Sequence, residues 1–257
     1  MVLDHKYVSL MDHNYLLSMG LLMSNSVAGE FFDSYQFGIY HSGIPMKDFN
    51  CVFIKRKTSK PLNACQKWEQ FFALRKLPFR VVIRPGLEDS YLWLLLERGY
   101  RKIDSVPVMS LFSIQERESD RPDLVIRSVK GVTELGHFQE TAVKGFSLPE
   151  GTGPFVITEQ ILNLPDCDMF VGYSADKPVC TSMLIKTGPV AGIYWVSTLT
   201  EYRNRGFGQT ITQRAVLEGK HKGCEFACLQ ASKMGKPVYV KIGFDNPYDY
   251  LIYASPV

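Results

Sequence analysis

A chain of 257 residues is long for one compact domain and comfortable for two. With 46% hydrophobic and 21% charged residues it has the balance of an ordinary globular protein, with enough apolar surface for real cores. A net charge of +3 is too mild to argue for nucleic acid, and none is expected as a partner. The six cysteines contain no Cys-x-x-Cys pair, and no histidine stands at zinc-finger spacing from them. No metal site is expected, and scattered reduced thiols fit a cytoplasmic protein. No basic region followed by a long apolar core opens the chain, and Leu16 to Met23 is too short to span a bilayer. Neither export nor a membrane is expected.

Residues from Leu3 to about Ala28 predict a helix, with Leu10, Tyr15, Leu16, Met19 and Met23 at near-helical intervals. Tyr35 to Tyr40 and Cys51 to Ile54 read as strands, separated by a loop that Gly43 and Pro45 punctuate. Leu62 to Lys76 is an amphipathic helix whose stripe is Cys65, Trp68, Phe71 and Phe72. Phe79 to Ile83 is a short buried strand. Leu87 to Arg98 predicts a helix stopped by Gly99, and Val106 to Phe112 a strand. Ser113 to Asp123 is dense in charge and carries Pro122, so it reads as a linker. The expected division is 1–118 and 119–257.

Leu124 to Arg127 is then a short strand, and Val132 to Lys144 and Phe155 to Leu162 are helices joined by a flexible connection, Gly145 to Pro154. Met169 to Ser174, Val179 to Lys186 and Ile193 to Leu199 form a three-stranded meander. A polar turn, Arg203-Asn204-Arg205-Gly206-Phe207-Gly208, leads into a helix that begins at Gln209 and ends near Lys222. Phe226 to Gln230 is a strand, Lys236 to Ile242 a short helix, and Tyr248 to Tyr253 the last strand.

The turn after the meander carries the chemistry. Glycines between a strand and a helix admit φ > 0 and close approach of a ligand. The helix that follows has N–H groups without intrahelical partners and the positive end of its dipole. Together they make an anion cradle, and phosphate is its usual occupant.

The spacing Arg-x-x-Gly-x-Gly at Arg203, Gly206 and Gly208 resembles the pyrophosphate-binding motif of the GNAT superfamily of acyl-CoA-dependent N-acyltransferases. The order of elements from 124 to 257 resembles a GNAT core. The resemblance implies an α/β (α+β) fold with a mixed, mostly antiparallel central sheet flanked by helices. It implies acetyl-CoA as cosubstrate and a primary amine as acceptor, whether a small molecule or a peptide N-terminus. The backbone from Arg205 through Gln209 would hold the pyrophosphate, with Arg203 and Asn204 in the same motif and Thr210 adding a hydroxyl. Ser197, Thr198 and Leu199 would pair with the pantetheine amides as an extra strand does. Tyr239, in Tyr239-Val240-Lys241-Ile242-Gly243-Phe244, matches the tyrosine that protonates the departing thiolate in many relatives. Ser232 stands where many of them carry a cofactor-contacting asparagine.

No carboxylate lies on Ile193 to Leu199, where several relatives place one, and Glu201 beside the loop reads as a solvated surface residue, so the general base stays open among Glu140, His137, Glu159, a water chain and a backbone carbonyl. Two functions follow: an N-acetyltransferase, or a CoA-binding or sensing module without catalysis. The first half also ends a helix in Gly-aromatic, at Gly99-Tyr100, as the core does at Gly243-Phe244. A second, worn GNAT-like unit and a coincidental helix stop both account for that echo. Because Lys57-Thr58-Ser59-Lys60-Pro61 offers no glycine for a phosphate, one CoA per chain is expected.

Overall fold

The computed structural model of the chain describes residues 4–114 and 121–256. They fall into two units, Met19–Val108 with Pro247–Val257 and Met1–Ser18 with Met109–Asn246. Part of the expected linker, residues 115–120, and the expected boundary between 118 and 119 lie outside the described residues.

Helix α1, His5–Ser24, buries Met11, Tyr15, Leu16, Leu22 and Met23, a stripe at helical spacing. In the first unit come β1 (Glu30–Asp33), β2 (Phe37–His41), β3 (Asn50–Ile54), α2 (Pro61–Arg75), β4 (Arg80–Ile83), α3 (Leu92–Glu97) and β5 (Arg101–Leu111), the last passing its Val108 limit. Strands β1 to β3 form an antiparallel meander, and β3 and β4 are parallel. Parallel neighbours need a crossover, and α2 supplies it. Proline at its first position suits a site whose N–H would be unpaired anyway. Its face Ala64, Cys65, Trp68 and Phe72 closes over Ile39, Val52, Val81 and Ile83 to make the core of this unit.

The second unit repeats that order with longer strands. It contains β6 (Val125–Ser128), α4 (Val132–Phe146), α5 (Thr152–Val156), β7 (Cys167–Ser174), β8 (Lys177–Thr187), β9 (Val190–Thr198), α6 (Phe207–His221), β10 (Phe226–Gln230) and α7 (Lys236–Ile242). The sheet order is β10-β9-β8-β7-β6, antiparallel throughout except for the parallel β9–β10 pair that α6 connects. Phe207, Ile211, Ala215 and Val216 of α6 pack onto Phe170, Leu184, Ile193 and Ala227. The last strand, β11 (Asp245–Ala254), pairs antiparallel with β4 of the first unit through its residues Leu251 to Ala254. Each unit thus has the mixed, mostly antiparallel sheet and flanking helices expected for the fold class.

The structure departs from the sequence reading in several places. Strand β1 was not expected, because Glu-Phe-Phe-Asp lacks period-two alternation, and only its pairing to β2 makes it a strand. The helix expected over Leu87 to Arg98 is a 3₁₀ turn, Glu88–Ser90, and the short α3, parted at Tyr91, whose φ of −123° is not helical. The expected Phe155 to Leu162 helix is likewise split into α5 and a 3₁₀ turn, Glu159–Asn163, by Ile157 at φ −110°, ψ 81°. Helix α4 runs on to Phe146, so the expected flexible connection shrinks to the few residues before Thr152.

Asn14 is a fully buried polar anchor of the second unit. Its Nδ2 donates to Thr187 Oγ1 at 2.8 Å and to the Ile185 carbonyl at 3.2 Å, and its Oδ1 accepts from the Tyr194 hydroxyl at 2.6 Å. Burial pushes the Tyr194 phenol far up from its ordinary pKa, so it stays a donor. Asn14→Ala orphans these buried partners and is expected to cost about 3 kcal/mol. Thermal unfolding should show a midpoint lowered by roughly 5–10 °C.

Candidate active site

Strand β9 changes course before it reaches the motif. Pairing with β8 runs from Thr187↔Val190 to Met183↔Tyr194 and resumes at Thr181↔Ser197, so Ser182 faces both Trp195 and Val196. This is a β-bulge, and Trp195 adopts φ +50° within it. On the other side, the parallel register with β10 ends at Cys228↔Gly192. Beyond that point the strands part, and the end of β9 borders an open cleft. Leu199 donates its N–H to Val179, so its amide is committed on the β8 side, and alternation turns the Thr198 peptide groups toward the cleft.

A short 3₁₀ turn, Thr200–Tyr202, then delivers the motif. Gly206 stands at φ +82° as the N-cap of α6, a region that residues with a Cβ rarely enter. No side chain caps this end, which leaves the amides of Phe207, Gly208 and Gln209 without intrahelical partners. These amides and the positive end of the α6 dipole face the cleft. The site suits an anion.

The cleft measures about 740 Å³ and is lined by Ser197, Thr198, Arg203, Asn204, Gly206, Phe207, Gly208, Gln209, Ser232 and Tyr239, all singled out from the sequence. Leu199, Arg205 and Thr210 are not in its wall. Arg205 lies over the Tyr202 ring, 5.2 Å from its centroid. Thr210 turns its hydroxyl to the Gly206 carbonyl at 3.3 Å. Arg203 is in the wall, but its guanidinium is spent on backbone: Nε donates to Thr198 O at 3.2 Å and Nη2 to Gly145 O at 3.0 Å. It ties the end of β9 to the last turn of α4, satisfying a carbonyl that a helix end leaves orphaned. The Ser232 hydroxyl accepts the Gly235 N–H at 3.0 Å, and its own proton is left to donate.

Tyr239 is held on α7, which ends at Gly243 in the left-handed conformation. The ring is 7% exposed and reaches the cleft wall. Burial pushes its phenol well above the ordinary tyrosine pKa, so it carries its proton at every physiological pH. The candidate bases are elsewhere. His137 Nδ1 and the Tyr173 hydroxyl are 2.9 Å apart, Glu140 pairs with Lys144 at 3.7 Å, and Glu159 and Glu201 are exposed; none lines the cleft. Among the described residues the only charged groups in its wall are Arg203 and Lys241, and no carboxylate is there.

One further wall lies outside the residues singled out for the cofactor. Gly145, Phe146 and Ser147 of the α4 end also line the cleft, joined by Val196, Met234 and Lys241. Gly145 has to be glycine, since a Cβ would come within 2.8 Å of the Ser197 side chain. A glycine inside an otherwise helical run was the available signal.

A larger cleft of about 1110 Å³ lies in the first unit, between Leu62, Phe72, Leu77, Phe79, Trp93 and Pro256. Its inner polar groups are engaged with one another: Arg98 forks onto Glu69, and the Tyr100 hydroxyl donates to Glu69 and accepts from Trp68 Nε1. Size favours this cleft, but chemistry favours the smaller one, which holds uncommitted backbone donors.

A mixed sheet with one parallel pair, a crossover helix and an uncapped glycine turn at its start defines a fold class, that of the GCN5-related N-acetyltransferases. Comparison with solved structures bears this out over nearly the whole chain. A GCN5-related N-acetyltransferase from Kribbella flavida superposes with a TM-score of 0.70 at 13% identity, over 96% of this chain and 95% of that one. One from Sphaerobacter thermophilus gives 0.66 at 16% identity, over 87% and 81%. A GCN5-related N-acetyltransferase-like protein from Streptococcus suis gives 0.58 at 13%, over 98% of each chain. No protein-family model matches the sequence, and no curated protein does. No helix among the described residues is long and apolar enough to cross a membrane.

Proposed function

We propose that the chain is an N-acetyltransferase that moves an acetyl group from acetyl-CoA to a primary amine by direct attack. The observation that carries this is the meeting, in one cleft, of the uncapped α6 turn, the parted end of β9 and the Tyr239 ring. The amides of Phe207, Gly208 and Gln209 suit the pyrophosphate, with bonds roughly twice as strong as neutral ones. Thr198 presents its N–H to the pantetheine arm, beside a carbonyl that already accepts from Arg203 Nε. The neutral amine forms a bond to the thioester carbon, the carbon–sulfur bond breaks, and the thiolate takes its proton from the Tyr239 hydroxyl. The attacking nitrogen gives its surplus proton to water, and the phenolate regains one from solvent.

The absence of a carboxylate from the cleft wall among the described residues favours a second reading, a CoA-binding or sensing module without catalysis. Thiol release from acetyl-CoA across a panel of small amines and peptides separates the two. Amine-dependent release supports the enzyme. Binding of CoA with no release from any acceptor supports the module.

One CoA per chain is the expected stoichiometry. The corresponding helix start in the first unit has Pro61 in place of an amide donor, and Lys57 there is paired with Asp89 at 3.3 Å. Calorimetry should give one equivalent, and two equivalents would assign a cofactor site to the first unit as well.

A further inference from the structure

We propose that Thr181 is a positioning residue that holds β9 in the shape the pantetheine arm requires, an inference that rests on the acyl-CoA reading above. Thr181 lies on β8 and is fully buried. Its Oγ1 donates to the Trp195 carbonyl at 2.8 Å and lies 2.7 Å from Ser197 Oγ. A hydroxyl has one proton, and that of Thr181 goes to Trp195, so Ser197 donates to Thr181. One side chain thereby grips both ends of the bulge.

The grip matters because the bulge does not hold itself. Trp195 at φ +50° is in a conformation unfavourable for a residue with a Cβ, and such strain persists only where the surroundings over-determine it. Ser182, the residue opposite the bulge, is fixed separately, its hydroxyl donating to the Ile211 carbonyl of α6 at 2.9 Å. The Phe146 ring meets Trp195 edge-on, with centroids 5.7 Å apart. Those contacts hold the partner strand and the indole, and Thr181 holds the Trp195 carbonyl. In a strand, a shift of one residue exchanges the groups on its two sides. Loss of the bulge would turn the Thr198 peptide away from the cleft and present Ser197 and Leu199 instead. Valine has the shape of threonine without the hydroxyl, so Thr181→Val removes the grip and keeps the packing.

Binding of two ligands tests this by calorimetry. CoA has the phosphates and the pantetheine arm, and 3′-phospho-ADP carries the same phosphates without the arm. Thr181→Val is expected to weaken CoA by about 10-fold or more, the loss of buried hydrogen bonds. Binding of 3′-phospho-ADP should stay within about twofold, since the α6 turn is untouched, and Thr181→Ser should keep CoA within about threefold. Thermal unfolding accompanies each variant, and Thr181→Ala replaces Thr181→Val, with the same expectation, if the latter does not fold. Unchanged CoA affinity in the valine variant, or equal loss of both ligands, overturns the proposal while leaving the acyl-CoA reading of the wild-type protein standing. A wild-type protein that binds neither ligand overturns the acyl-CoA reading and this inference with it.

Discussion

Gly206→Glu is expected to lower CoA affinity by roughly 100-fold or more, each lost charged hydrogen bond being worth about 1.5–3 kcal/mol. Two causes act together. At φ +82° a residue with a Cβ is strained, and the added Cβ would stand 2.7 Å from Arg121 Nη1, so that guanidinium must move. The larger cause is the carboxylate, which places negative charge at the positive end of α6 where the pyrophosphate would sit. Gly206→Ala separates the two, since it keeps the strain and omits the charge. It should bind CoA more weakly than wild type and much more tightly than Gly206→Glu. Calorimetric titration checks both variants, and wild-type affinity in Gly206→Glu would remove the α6 turn from the site.

Tyr239→Phe is expected to slow thiol release by about 10²- to 10⁴-fold with little change in CoA affinity. The ring packs at the cleft wall and is kept, so only the transferable proton is lost. Burial raises the phenol pKa, and the proton-bearing form therefore persists to higher pH than a free tyrosine would allow. For that reason the wild-type rate should show no decline from Tyr239 ionisation up to about pH 10, the ordinary tyrosine value. Turnover measured where chemistry limits the rate decides the matter. An undiminished rate in the phenylalanine variant returns Tyr239 to the core.

Short-range patterns by themselves determined where the motif lies and what it can be. Arg203 to Gly208 was legible as a turn between a strand and a helix because glycine spacing and an abrupt change of period are local properties. The strands β7 to β10 and the helices α4, α6 and α7 were legible for the same reason, each having its own period and its own stop. What the sequence left open depended on partners distant along the chain. Strand β1 exists because β2 pairs with it, and β11 pairs with β4 of the first unit, although it directly follows the second unit's last helix. Nothing in the residues of β11 names β4 as its partner, since apolar alternation specifies a face and not a neighbour. The same holds inside the site. That Arg203 spends its guanidinium on Thr198 and Gly145, that Leu199 gives its amide to Val179, and that Thr181 fastens the Trp195 peptide follow from the packing of α4 and β8 against β9. A motif states which donors are present, and only the tertiary structure decides which are already taken, because buried polar groups are satisfied by whatever lies within about 3 Å of them.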